Sequence, residues 1–175
     1  MAWMNLKLAG LLLLVGAGST VGFYKAYELR RRISDIIMLQ NTFRLLETEI
    51  YYSLTPIPIA LKHLEGKLPS RIQPFFYQVC FGMEKAKQPI YQAWELALPY
   101  ITRFTACQAE ELEAIRDFGV SFGEGDVVSQ QQNFQLLHQR LQHALEGAER
   151  ARAQKERIWQ YMGVCISLAV AMMLY

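Results

Sequence analysis

The amino-acid sequence predicts an all-α protein in which two transmembrane helices flank a cytoplasmic bundle of five to six helices, with a long C-terminal helix running into the second span. Three observations carry that prediction. An uncharged apolar run stands near each end of the chain, the apolar residues between the runs recur at spacings of three and four, and no stretch keeps the period of two that a half-buried strand requires. Hydrophobic residues make up 52% of the 175 residues and charged residues 19%, with a mean hydropathy of +0.07. The excess of apolar character sits at the ends. The expected division is a first span over 6–24, a helical domain over 25–157 and a second span over 158–175.

Leu8 to Tyr24 and Ile158 to Tyr175 contain no charged residue. As helices they reach about 26 Å, the short limit for crossing a bilayer core. Trp3 and Tyr24 bracket the first run, and Trp159, Tyr161 and Tyr175 mark the second, as amphipathic aromatics do at membrane interfaces. A cleaved signal peptide with Lys7 as its basic start is the alternative for the first run. No A-x-A site follows, and the helical pattern continues beyond it, which favours a retained anchor. A buried core helix is the alternative for the second; its terminal position without a polar tail favours a span. Basic residues cluster on the inner flanks of the two runs, at Lys25, Arg30, Arg31 and Arg32 and at Arg150, Arg152, Lys155 and Arg157, while the outer flanks offer only Lys7. The positive-inside rule then puts the middle in the cytoplasm, both termini outside, and the basic flanks against the lipid bilayer. Between residues 41 and 149, nine basic residues face thirteen acidic ones, and the whole chain carries a net charge of only +2, so nucleic acid is not an expected partner.

The elements follow in order. Ile36, Leu39, Phe43, Leu46 and Ile50 form one apolar stripe on a helix from about Ile33 to Tyr52. Thr55-Pro-Ile-Pro interrupts it, with Thr55 as the expected N-cap of a short helix through Leu64. Pro69-Ser70 introduces a third helix, to about Lys85, and Pro89 starts a fourth, through Leu98. Thr105 with Gln108 resembles a capping box ahead of Leu112, Ile115, Phe118 and Phe122. Gly123 and Gly125 punctuate, and Asp126 is the expected cap of the last helix. There Phe134, Leu137, Leu141, Ala144, Ala148 and Ala151 keep the stepping into the second run without a breaker. The small residues late in that seam predict a close antiparallel partner around Tyr27 to Ile37, forming a helical neck. Gly18 and Gly22 in the first run, and Gly163, Ser167 and Ala171 in the second, suit span–span packing or self-association into a homo-oligomer.

No constellation points to catalysis, and no cofactor is expected. His138 and His143 are five apart, off the i, i+4 spacing of helical metal ligands, and the three cysteines form neither a CxxC nor a zinc pattern. Gly66-Lys67 lacks the preceding glycine and following hydroxyl of a P-loop. Cys80 and Cys107 read as small core residues. Glu110, Glu113 and Asp117 share one helix face, as a solvated stripe or a dock for a basic partner.

The stretch Leu45-Leu-Glu-Thr-Glu-Ile-Tyr-Tyr-Ser-Leu-Thr-Pro-Ile-Pro-Ile-Ala-Leu61 resembles the signature of the stage III sporulation protein AB family of endospore-forming bacteria. Ala93-Trp94, Phe118-Gly119 with Phe122-Gly123, Asp126, Gln130-Gln131-Gln132, and the C-terminal G-V-C-I-S-L-A-V-A-M-M-L resemble its later motifs. Ile59 departs from a frequent acid and Phe122 from a usual Leu. The resemblance implies a component of a secretion-like channel complex between mother cell and forespore. It also implies similarity to the cytoplasmic helical domain of type II secretion and type IV pilus platform proteins, with a secretion-type ATPase and other membrane proteins of the channel as separate partners. Within the signature, Glu47, Glu49 and the capping Thr55 are the expected partner contacts. The competing readings are a membrane-anchored enzyme, whose converging acids or histidines the sequence does not display, and a membrane-bound adaptor unrelated to transport.

Overall fold

In the computed structural model the backbone is described for residues 2–51, 55–122 and 127–174, and side chains for residues 27–51, 55–64, 66–122 and 128–154. The architecture is all-α: α1 (Ala2–Tyr51), α2 (Ile57–Glu65), α3 (Gln73–Glu84), α4 (Ile90–Phe104), α5 (Ala109–Ser121) and α6 (Val127–Leu174). Among the described residues there is no strand. The chain divides into two compact units. One is formed by residues 1–30 with 148–175, the other by residues 31–147.

In the larger unit α1 and α6 run antiparallel. Gln40 bonds Gln142 at 3.2 Å, Glu47 meets His138 at 3.0 Å, and the Tyr51 ring meets Phe134 with centroids 5.9 Å apart. The expected stripes are the buried ones: Ile36, Leu39, Phe43 and Leu46 on α1, and Phe134, Leu137, Leu141 and Ala144 on α6. The shorter helices stack in sequence, α2 on α3, α3 on α4 and α4 on α5. An aromatic centre joins them. Trp94 of α4 touches Phe43, Phe75, Phe76, Phe118 and Phe122, with centroids between 5.0 Å and 6.3 Å. Burial of such rings supplies a large apolar area with preferred edge-to-face geometry.

Several expected boundaries differ for identifiable reasons. The N-cap of α2 is Pro56, not Thr55; its carbonyl accepts from Ile59 and Ala60, both at 2.9 Å, and no side chain caps. Prolines suit this first turn because their missing N–H would be unpaired there anyway. Pro69 opens a turn rather than α3, which starts at Gln73 with Pro74 in its first turn. Pro99 does not end α4, which continues to Phe104. Pro99 lies on the exposed side while Trp94, Ala97, Leu98 and Ile101 stay buried, so packing holds the helix through the missing bond. The capping box at α5 is Gln108 with Glu111, whose Oε2 accepts from the Gln108 N–H at 2.6 Å. Thr105 turns back to the Ile101 carbonyl at 2.7 Å.

Among the described residues no helix is long and apolar enough to cross a membrane. The two uncharged runs, 8–24 and 158–175, with their small-residue motifs, lie outside the residues whose side chains are described, as do Lys155, Arg157, Gly123, Gly125 and Asp126. In the expected neck, Ala148 is fully buried and Ala151 is half-buried.

Candidate functional site

The signature segment folds into ties between elements. Leu46, Ala60 and Leu61 are fully buried and anchor it. Glu47 Oε2 lies 3.0 Å from His138 Nε2 across the α1–α6 pair. Glu49 Oε1 accepts from Lys67 Nζ at 3.2 Å, with the Glu49 side chain 15% exposed. The Thr55 N–H lies 3.4 Å from the Glu49 carbonyl oxygen. Burial, and then the Glu47 charge, raise the Tyr51 hydroxyl above its ordinary value. Tyr51 Oη and His138 Nδ1 are buried polar atoms without a hydrogen-bond partner among the described residues. The two signature carboxylates, expected to meet a partner, already hold internal partners, His138 and Lys67.

The acidic stripe of α5 is split by its neighbours. Asp117 pairs with Arg140 of α6 at 2.5 Å. Glu110 is exposed and 3.8 Å from Arg32. Glu113 is exposed.

Sequence reasoning missed a buried ionic clamp built on the interior of α1. Asp35 and Glu111 are each fully buried. Arg32, with a side chain 12% exposed, donates to Glu111 Oε1 through Nη2 at 2.6 Å and Nε at 2.9 Å. Asp35 accepts the Ala106 N–H at 2.8 Å, pairs with Arg71, and lies 3.8 Å from Arg31. Arg31 also donates to the Phe104 carbonyl at 3.1 Å. Arg31 and Arg32, expected beside headgroups, are therefore engaged with the α4–α5 connection. Arg30 and Arg150 are exposed, and Arg152 is half-buried. The missed signal was phase: Glu111 stands three, four and seven residues before Ala114, Ile115 and Phe118, on their apolar stripe. Cys107 sits half-buried beside the clamp. Burial, with the carboxylates of Glu111 and Asp35, pushes its thiol up to about 12 against the Thr105 hydrogen bond and the Arg32 charge.

Alongside the clamp runs an open groove of about 480 Å³. One wall is the α1 stripe Ser34, Ile37, Asn41 and Leu45; the other is the α2–α3 connection at Lys67, Leu68 and Arg71. Ile37 is 41% exposed there. Among the described residues no group of three His, Cys, Asp or Glu side chains is placed to hold a metal ion. The arrangement presents surfaces and internal ties.

Two glycines fix how the later motifs meet. A Cβ on Gly119 would overlap the Trp94 indole, and one on Gly82 would stand 2.8 Å from the Ala93 Cβ. The Trp94 indole N–H donates to the Ile115 carbonyl at 3.0 Å. Ala93-Trp94 and Phe118-Gly119 are thus two halves of one packing contact.

Comparison with known proteins agrees with these motifs. The family described as "Stage III sporulation protein AB" matches residues 7–175. The chain is similar to stage III sporulation protein AB of Bacillus subtilis (strain 168), with 27% identity over 169 residues, covering 97% of this chain and 99% of that relative. It is also similar to a solved structure of stage III sporulation protein AB (SpoIIIAB), with a TM-score of 0.65 and 26% identity, covering 71% of this chain and 98% of that one.

Proposed function

This chain belongs to the stage III sporulation protein AB family, and from that membership we propose that it is a non-catalytic membrane platform of a secretion-like sporulation channel between mother cell and forespore. In this reading it couples a separate cytoplasmic ATPase to the other membrane subunits. The observation that carries the proposal is the family match over residues 7–175, which takes in both uncharged runs as well as the bundle.

The membrane part rests on those runs, on their aromatic brackets and on the basic residues at their inner flanks. The basic residues that flank the runs are Lys25, Arg30, Arg150, Arg152, Lys155 and Arg157, while Arg31 and Arg32 are engaged in the bundle. Oriented this way, residues 31–147 form the working surface on the mother-cell side, with both termini across the membrane. The non-catalytic part is supported by the local chemistry: Glu47, Glu49, Asp35 and Glu111 each hold an internal partner rather than converging on an open pocket.

Four experiments in a spore-forming host test this. After alkaline carbonate extraction the protein stays in the membrane pellet. Protease added to the outside of the mother-cell membrane leaves the bundle intact. Capture from solubilised membranes recovers a secretion-type ATPase and other channel subunits, and deletion of the chain blocks spore formation. Normal spores after deletion would remove the sporulation role, and release by carbonate would remove the anchor.

A further inference from the structure

We propose that the groove between α1 and the α2–α3 connection receives an amphipathic helix of another protein that carries carboxylates beside its apolar residues. The inference rests on the reading of the chain as an assembly surface and names the chemistry of one partner contact.

The shape calls for a helix. Ser34, Ile37, Asn41 and Leu45 step by three and four along α1, so the wall they form is straight and about 16 Å long. That length matches three turns of a second helix laid alongside, the geometry by which ridges of one helix enter the grooves of another. The floor is apolar, and Ile37 at 41% exposure is an unfilled contact for a partner side chain.

The charge calls for acids. The charged residues lining the groove, Lys67 and Arg71, are both basic, although residues 41–149 carry thirteen acids against nine bases. Arg71 stays open to water although it is paired from within. Arg71 shares the single carboxylate of Asp35 with Arg31, and its side chain is 38% exposed at the groove. Lys67 extends outward, 58% exposed, from a Glu49 carboxylate that is 15% exposed. A partner carboxylate reaching this rim meets donors still in contact with water, and such complementarity selects a partner and its register.

The test uses the full chain in the membranes of a spore-forming host, with a photo-reactive benzophenone residue replacing the exposed Asn41. Irradiation is expected to yield an adduct whose peptide is a helical segment with apolar residues at spacings of three and four and Asp or Glu on the same face. A synthetic peptide of that segment then binds the detergent-solubilised full chain. Lys67→Glu weakens this binding about tenfold, and reversing the peptide's acids to Lys restores it. Ile37→Glu, which disturbs no ion pair, weakens it similarly and decides the matter if Lys67→Glu unfolds. An adduct with a second copy of this chain, with lipid or with a segment lacking carboxylates overturns the proposal. So does the absence of any adduct, or binding indifferent to both substitutions. An adduct with a carboxylate-free segment would leave the platform reading intact, whereas release from the membrane would strike that reading and not the groove.

Discussion

Trp94 closes over Gly119 so tightly that a Cβ there would overlap its indole ring. The ring is held in place by its N–H bond to the Ile115 carbonyl one turn earlier on the same helix. It also contacts five other aromatic rings. Trp94 therefore has no room to retreat. Gly119→Ala is expected to lower stability by about 3 kcal/mol, at the upper end of overpacking effects. Thermal unfolding followed by circular dichroism checks this, and a melting temperature equal to wild type would contradict the packing.

Asp35 offers a graded test of the buried clamp. Asp35→Asn retains an acceptor for the Ala106 N–H and loses the charge facing Arg31 and Arg71. Asp35→Ala loses both. Because the two guanidiniums are partly exposed and can turn to water, the alanine variant is expected to cost about 2 kcal/mol rather than the full penalty of a broken buried pair. The asparagine variant costs less. Urea denaturation of both gives the order, and the reverse order would contradict the bond to Ala106.

The same local consistency explains what the sequence disclosed. The helices of the bundle were readable because their stripes satisfy one period throughout, from Ile36 to Leu46 and from Phe134 to Ala148. The clamp was not readable because an acid on an apolar stripe is identical, in sequence, to an acid beside one. Only the arrival of Arg32 and Arg71 from other turns makes Glu111 and Asp35 buriable. Pro99 misled for a similar reason: tertiary packing on Trp94 and Ile101 outweighs the local break. Glu47 and Glu49 looked outward by phase, and only the folded chain brings His138 and Lys67 to them.

The Glu47–His138 contact is measurable as a coupling. Single substitutions Glu47→Gln and His138→Gln, with the double variant, are expected to give an interaction energy of about 0.5–1 kcal/mol, the range for a partly exposed pair. Additive effects in the cycle would mean that the two side chains do not interact.

Cys107 gives a pH-dependent signature. Its thiol is raised from 9.0 to about 12 in the fold, principally by burial. The folded state holds this proton more tightly than the unfolded chain. The associated stabilisation is complete below about pH 9 and declines as pH rises toward 12, because the unfolded chain ionises first. Cys107→Ala should therefore lose stability less steeply than wild type between pH 9 and pH 10.5, measured by denaturant midpoint. At pH 8, maleimide should modify Cys107 only as fast as the bundle opens, since the thiolate is the nucleophile. Equal slopes for the two proteins would contradict the shift.

The antiparallel pairing of α1 with α6 also sets an order of events at synthesis. Gln40 and Gln142 are 102 residues apart, whereas α3, α4 and α5 meet their neighbours in sequence. Closing so long a loop carries an entropic penalty that short connections avoid. The α3–α4–α5 stack can therefore assemble while the ribosome is still working. The apolar stripe of α1, made first, waits for Phe134 to Leu141 to emerge before it is covered. During that interval Leu39, Phe43 and Leu46 are the chain's exposure to aggregation. Chaperone dependence of this protein is thus expected to be written at its N-terminal end and relieved at its C-terminal one.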